Sequence, residues 1–146
     1  MNLEDDGHCF ACGPENRVGL KLVFRVDREN RSARADVTLA KHFNGWKGIT
    51  HGGIVSTLLD EAMIYACGAL GWLSVTGEIT VRFRKPVPTE KQLLVEGFVL
   101  EDRRRFITAH GRITLLDEIL AVASGKMLPV KRVDDIRLYL QDRHDG

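Results

Sequence analysis

The sequence predicts an α+β protein, a curved antiparallel sheet of about six strands wrapped around one long central helix. Three observations carry that expectation. The stretch Gly48–Leu70, GITHGGIVSTLLDEAMIYACGAL, is apolar on nearly every side of a helix from Ile54 onward, and a helix apolar all round is a buried one. Two segments of period-two alternation precede it and four follow, with no helical pattern between them. Consecutive strands on short turns pair antiparallel, and a single sheet buries such a helix only by curling round it.

In chain order, Leu20, Leu22, Phe24 and Val26 alternate with Lys21, Val23, Arg25 and Asp27 as a half-buried strand. Arg28–Arg31 is a polar turn, and Ala33, Ala35, Val37 and Leu39 complete a hairpin. His42–Gly48, punctuated by glycine, reads as a loop leading into the helix. The helix runs from about Gly53 to Leu70, with Gly68 or Gly71 suited to its end. A strand from Thr76 to Lys85 stops at Pro86-Val87-Pro88. Leu93–Leu100 and Phe106–Leu115 are joined by Glu101-Asp102-Arg103-Arg104-Arg105. The last strand, Glu118–Leu128, is bent by Gly125 and ended by Pro129. The charged tail from Lys131 carries a short helix around Ile136 to Leu140. No repeat or low-complexity linker divides the chain, so residues 1–146 read as one domain.

Composition narrows the function classes. The 146 residues are 44% hydrophobic and 28% charged, enough for a sizeable core. A formal net charge of +1 gives no global field for nucleic acid or membrane. No run approaches the roughly 20 apolar residues of a membrane span, and the acidic start MNLEDDGH is unlike a signal peptide; the expected compartment is the cytoplasm. Three cysteines make no disulfide framework. The pair in His8-Cys9-Phe10-Ala11-Cys12-Gly13-Pro14 is read as a turn with thiols packed as small hydrophobes. A structural zinc site takes four ligands, and even with His8 one is missing.

The candidate chemistry sits on the central helix. His51-Gly52-Gly53 heads it, and a helix start exposes backbone N–H groups that can bind an oxyanion. Asp60 and Glu61 lie in its apolar body, where a carboxylate is costly unless it is paired or used.

These residues, His51-Gly52-Gly53 followed by Leu58-Leu59-Asp60-Glu61, then a strand from Thr76 to Pro86, resemble the hotdog-fold acyl-CoA thioesterases. The similar group includes the phenylacetate-pathway thioesterases and the thioesterase-superfamily-member proteins. Cys9-Phe10-Ala11-Cys12-Gly13-Pro14-Glu15-Asn16 with Gly19-Leu20 also matches that group, so the resemblance covers all but the last dozen or so residues. It implies a hotdog fold, dimers joined sheet edge to sheet edge, often paired into tetramers, and active sites at the dimer interface. Asp60 matches the catalytic carboxylate and Gly52 the backbone N–H that polarises the thioester carbonyl. Thr76 matches a hydroxyl that orients water or the carboxylate, and His51 the histidine of the HGG turn, taken here as an orienting group. Some members place Asn or Gln six residues before that histidine; Gly45 stands there, with Asn44 one position earlier.

Hydrolysis of an acyl-CoA thioester to acid and CoA is the expected reaction, with Asp60 either activating water or attacking the carbonyl directly. Glu61 is the reserve carboxylate, and Asn44, Gly53 and Thr57 join the expected substrate contacts. The CoA phosphates call for cations, for which Arg103, Arg104 and Arg105 at a turn and Arg82, Arg84 and Lys85 along a strand are available. Trp46, Phe43, Met63 and Tyr65 supply apolar walls, Trp46 serving either substrate or core. No metal and no cofactor beyond the substrate's own CoA are expected, nor a nucleic-acid or membrane partner. Two alternatives stand. A hotdog dehydratase or hydratase would pair a histidine with a carboxylate, but its Phe-Pro-Gly turn is missing from Gly45–Thr50. A non-catalytic acyl-CoA-binding module would carry a DNA-binding segment, for which Met1–Val18 is too short.

Overall fold

The computed structural model describes residues 1–134 and Ile136. Its elements are β1 (Arg25–Asp27), β2 (Ser32–Thr38), a 3-10 turn (Lys41–Phe43), β3 (Asn44–Trp46), β4 (Ile49–Thr50), α1 (Gly52–Gly68), β5 (Trp72–Phe83), β6 (Gln92–Asp102), β7 (Ile107–Leu115) and β8 (Glu118–Arg132). Six strands make one antiparallel sheet in the order β1-β2-β6-β7-β8-β5, and α1 packs on β2, β5, β6, β7 and β8. This is the sheet around a helix that the alternation and the apolar helix predict, and the hotdog fold that the resemblance implies.

The alternation acts as a depth gauge. Ala33, Ala35 and Val37 of β2, and Ile107, Ala109 and Ile113 of β7, are buried against the helix residues Leu58, Leu59, Ala62 and Met63. Fully burying one such aliphatic side chain is worth about 2 kcal/mol. Gly97 of β6 allows the helix its close approach, because a Cβ there would run into the Ala62 carbonyl. The backbone of α1 is thus held on the sheet two residues beyond Asp60.

Four expectations are corrected. Leu20–Phe24 is no strand: Leu22 and Phe24 are buried, but Leu20 and Leu22 donate backbone hydrogen bonds to Phe10 and Ala11, so only Arg25–Asp27 reaches β2. His42–Gly48 is not a plain loop, since Asn44 faces Thr50 and Trp46 faces Ile49 in a small hairpin. The strand expected from Thr76 begins at Trp72. Pro129 does not end β8, which continues to Arg132; it faces Ser74 where the register shifts between Leu73 and Ser74, and at a bulge the N–H that proline lacks is not needed. The C-terminal helix expected around 136–140 lies outside the described residues, apart from Ile136.

Candidate functional site

At the start of α1, His51 is the N-cap, and its Nδ1 accepts from the Gly53 N–H at 2.9 Å. That bond places the lone pair on Nδ1, so a neutral ring carries its proton on Nε2. The Gly53 donor is therefore already used. The Gly52 N–H, exposed at the first helical position, has no hydrogen-bond partner among the described residues. Ser56 and Thr57 bond back to the Gly52 and Gly53 carbonyls at 3.1 and 2.9 Å; the Thr57 hydroxyl is spent within the helix. Gly45 lies against His51, 3.0 Å separating a hypothetical Cβ from the histidine Cα, so a side chain there would need the histidine backbone to give by a few tenths of an ångström. Asn44 instead accepts from Thr89 Oγ1 at 2.7 Å.

Two turns further on, half-buried Asp60 accepts a 2.5 Å hydrogen bond at Oδ1 from Thr76 Oγ1. The strand supplies that hydroxyl through an irregularity. Thr76 faces Met127 and Glu78 faces Lys126, leaving Gly77 as the extra residue of a bulge. Side chains two apart normally share a sheet face. Here Thr76 turns to the helix, whereas Thr80, Arg82 and Arg84 line a hollow with His110 and Arg112 on the face away from it. A bulge re-aims a side chain in this way.

Glu61 faces a cavity of about 320 Å³ whose wall includes Cys9, Cys12, Tyr65, Ser74 and Thr76. Burial first, then the negative charges on Cys9 and Asp60, push the Glu61 carboxyl above the usual range. Cys9 is lowered by hydrogen bonds from Cys12 to its sulfur, and that same contact leads the rise of the Cys12 thiol. Burial raises Tyr65.

The other expected contacts scatter. Trp46 is 80% exposed, which rules out the core role; it borders a surface hollow of about 380 Å³ with Val55, Phe83 and Arg84 at the helix start. Arg103 is paired with Glu101 at 2.7 Å, and Arg104 and Arg105 complete the β6–β7 turn. Asp102, Ile107, Met127 and Thr76 form one row across the sheet, so three strand spacings, about 14 Å, separate that turn from Thr76. Neither arginine group is brought to Asp60 within one chain. Phe83 and Ser74 were missed; Phe83 lies under Gly52, 3.7 Å from a hypothetical Cβ, and its position opposite the helix start had no signal in sequence.

The sequence pattern of the thioesterase superfamily matches residues 47–122, which contain the helix start, Asp60 and Thr76. The chain belongs to the thioesterase superfamily. Among relatives of this superfamily member, acyl-coenzyme A thioesterase THEM4 of Xenopus laevis is 24% identical over 117 residues, 76% of this chain. The chain spans 46% of that protein's length. A crystal structure of another thioesterase superfamily protein superposes with a TM-score of 0.78 at 27% identity, covering 85% of this chain and 61% of the other. A Streptococcus mutans protein solved with acetyl CoA bound gives a TM-score of 0.72 at 20% identity, covering 83% and 98% of the two chains.

Proposed function

We propose that this superfamily member hydrolyses acyl-CoA thioesters at a site shared between two copies of the chain. The observation that carries the reading is the Thr76–Asp60 bond. It fixes one oxygen of a half-buried carboxylate and leaves the other to act, and its neighbours Thr76 and Glu61 line a cavity. The free oxygen takes a proton from water as the water oxygen attacks the thioester carbon. The carbonyl oxygen becomes an oxyanion, and collapse breaks the C–S bond, releasing the acid and a CoA thiolate that recovers the proton. The Gly52 N–H, at the positive end of α1, is the donor for the oxyanion; one preorganised donor is worth about 3 kcal/mol of barrier.

Gly52 and Asp60 of one chain cannot serve the same carbonyl. Eight residues at 1.5 Å each put them about 12 Å apart along the helix. The far edge of β5, a 12-residue strand bonded among the described residues only to β8, offers a row of backbone groups for a second β5. Edge-to-edge pairing of that kind sets the helix start of one copy beside Asp60 of the other. The acetyl CoA bound to the Streptococcus mutans protein and the name of the Xenopus laevis relative support a CoA ester as substrate.

The test is free CoA release over a panel of acyl-CoA esters, wild type beside Asp60→Asn. The amide keeps the Thr76 bond and the shape but cannot take the proton, so kcat is expected to fall about 100-fold or more. Equal turnover in the two proteins would rule the assignment out.

A further inference from the structure

The Cys9-x-x-Cys12 turn carries chemistry that thioester hydrolysis does not use. The Cys12 N–H donates to Cys9 Sγ at 3.4 Å, and the Gly13 N–H donates to the Cys9 carbonyl at 2.8 Å. These bonds hold the two sulfurs on one side of a tight turn. Glu61, 52 residues from Cys9 in the chain, brings its Oε1 to 3.8 Å from Cys9 Sγ. The two sulfurs and a carboxylate oxygen all lie within 4.8 Å of one another.

We propose that Cys9, Cys12 and Glu61 form a three-ligand site for a borderline-soft divalent cation of the zinc class. Around tetrahedral zinc, with Zn–S near 2.3 Å and Zn–O near 2.0 Å, sulfur and oxygen ligands stand about 3.5 Å apart; the present 3.8 Å is a few tenths away from that. Thiolates select against calcium and magnesium, which take oxygen ligands. The backbone N–H on Cys9 Sγ is the outer support that orients a metal-bound thiolate. Among the described residues no Lys, Arg or His pairs with Glu61, so this carboxylate lacks a compensating cation.

An independent observation concerns the same cavity. Ser74, 8% exposed, lines this cavity, and its buried Oγ, which lies near the Cys67 thiol, makes no hydrogen bond of full geometry among the described residues. Three protein ligands leave a fourth position open, and a metal-bound water in that cavity is the kind of partner that satisfies such a hydroxyl. On binding, the two thiols and the Glu61 carboxyl give up to solvent whatever protons they hold, and no electrons move. The cation would tie the segment before β1 to the middle of α1, one residue past Asp60.

Cobalt and zinc titration of the full, reduced, chelator-stripped chain decides this without any turnover measurement, so its outcome is separate from that of the thioesterase reading. One equivalent of Co²⁺ is expected to give thiolate-to-metal charge-transfer absorption with the d–d bands of a four-coordinate site, displaced by one equivalent of Zn²⁺. Cys9→Ser should abolish the charge-transfer band. Glu61→Gln should keep it, alter the d–d bands and weaken Zn²⁺ at least about 10-fold. Absence of the band in the wild-type chain overturns the proposal, as does equal Zn²⁺ affinity in Glu61→Gln. If Cys9→Ser fails to fold by circular dichroism, the wild-type titration and Glu61→Gln decide alone.

Discussion

Thr76 Oγ1 donates to Asp60 Oδ1 across the gap between β5 and α1, the direct side-chain link from the sheet to the carboxylate at the centre of the proposed chemistry. The bond selects one orientation of the Asp60 carboxylate in advance.

Thr76→Val deletes the donor at nearly constant volume. A hydrogen bond to a charged group is worth about 1.5–3 kcal/mol, so kcat should drop about 10-fold or more while KM changes little. Thr76→Ser should recover most of the loss. Steady-state kinetics of the three proteins checks this, and a valine variant with wild-type kcat would remove Thr76 from the mechanism.

A subunit-mixing experiment separates a shared site from a self-contained one. Gly52→Pro removes the N–H at the first helical position, where proline is tolerated, and His51 already has the extended backbone (φ −56°, ψ 134°) that precedes proline well. Gly52→Ala keeps the N–H and is the control. Gly52→Pro and Asp60→Asn, each inactive alone, are refolded together at equal concentration. Half of the random dimers are then mixed, each with one complete site, and about a quarter of wild-type activity returns. No recovery is expected if each chain holds its own site.

Alkylation followed by peptide mapping ranks the thiols. Burial pushes Cys67 up to about 12, so at pH 8 only about one part in ten thousand is thiolate, and the side chain is fully enclosed. In the native, metal-free chain iodoacetamide should modify Cys9 first, its sulfur being half-buried and its thiol lowered. Cys67 should stay unmodified until the chain is unfolded; early labelling there would show that α1 is not seated as described.

Gly97→Ala tests the helix–sheet contact. The added methyl would meet backbone at Ala62, which cannot yield as a side-chain tip can. A loss of about 1–3 kcal/mol is expected, read as a lower midpoint in urea with unchanged slope. A neutral substitution would mean that the helix has slack over β6.

Legibility from sequence followed the range of the signal. The helix and the alternation of Ala33–Val37 or Ile107–Ile113 were readable because burial repeats with the period of the element. The hairpin Asn44–Thr50 was not, since strands of three and two residues are too short to show a period. Pro129 misled because its effect depends on a bulge set by the partner strand. The Gly77 bulge defeated parity: Thr76 shares its phase with Thr80 and Arg82, yet faces the other way. The pair Asp60 and Thr76 was reached through family resemblance, not through any local pattern. Glu61 beside Cys9 had no signal, being 52 positions distant.

The strand order also dictates when the pieces can meet as the chain folds. β1–β2, β6–β7 and β7–β8 are local hairpins, quick to close. β2–β6 and β5–β8 join segments separated by the helix or by two whole strands, and such long closures come late. Thr76 lies on β5, the strand that docks through the second of these. Refolding should therefore regain its hairpins first, with the strand that carries Thr76 joining the sheet only in one of the late closures.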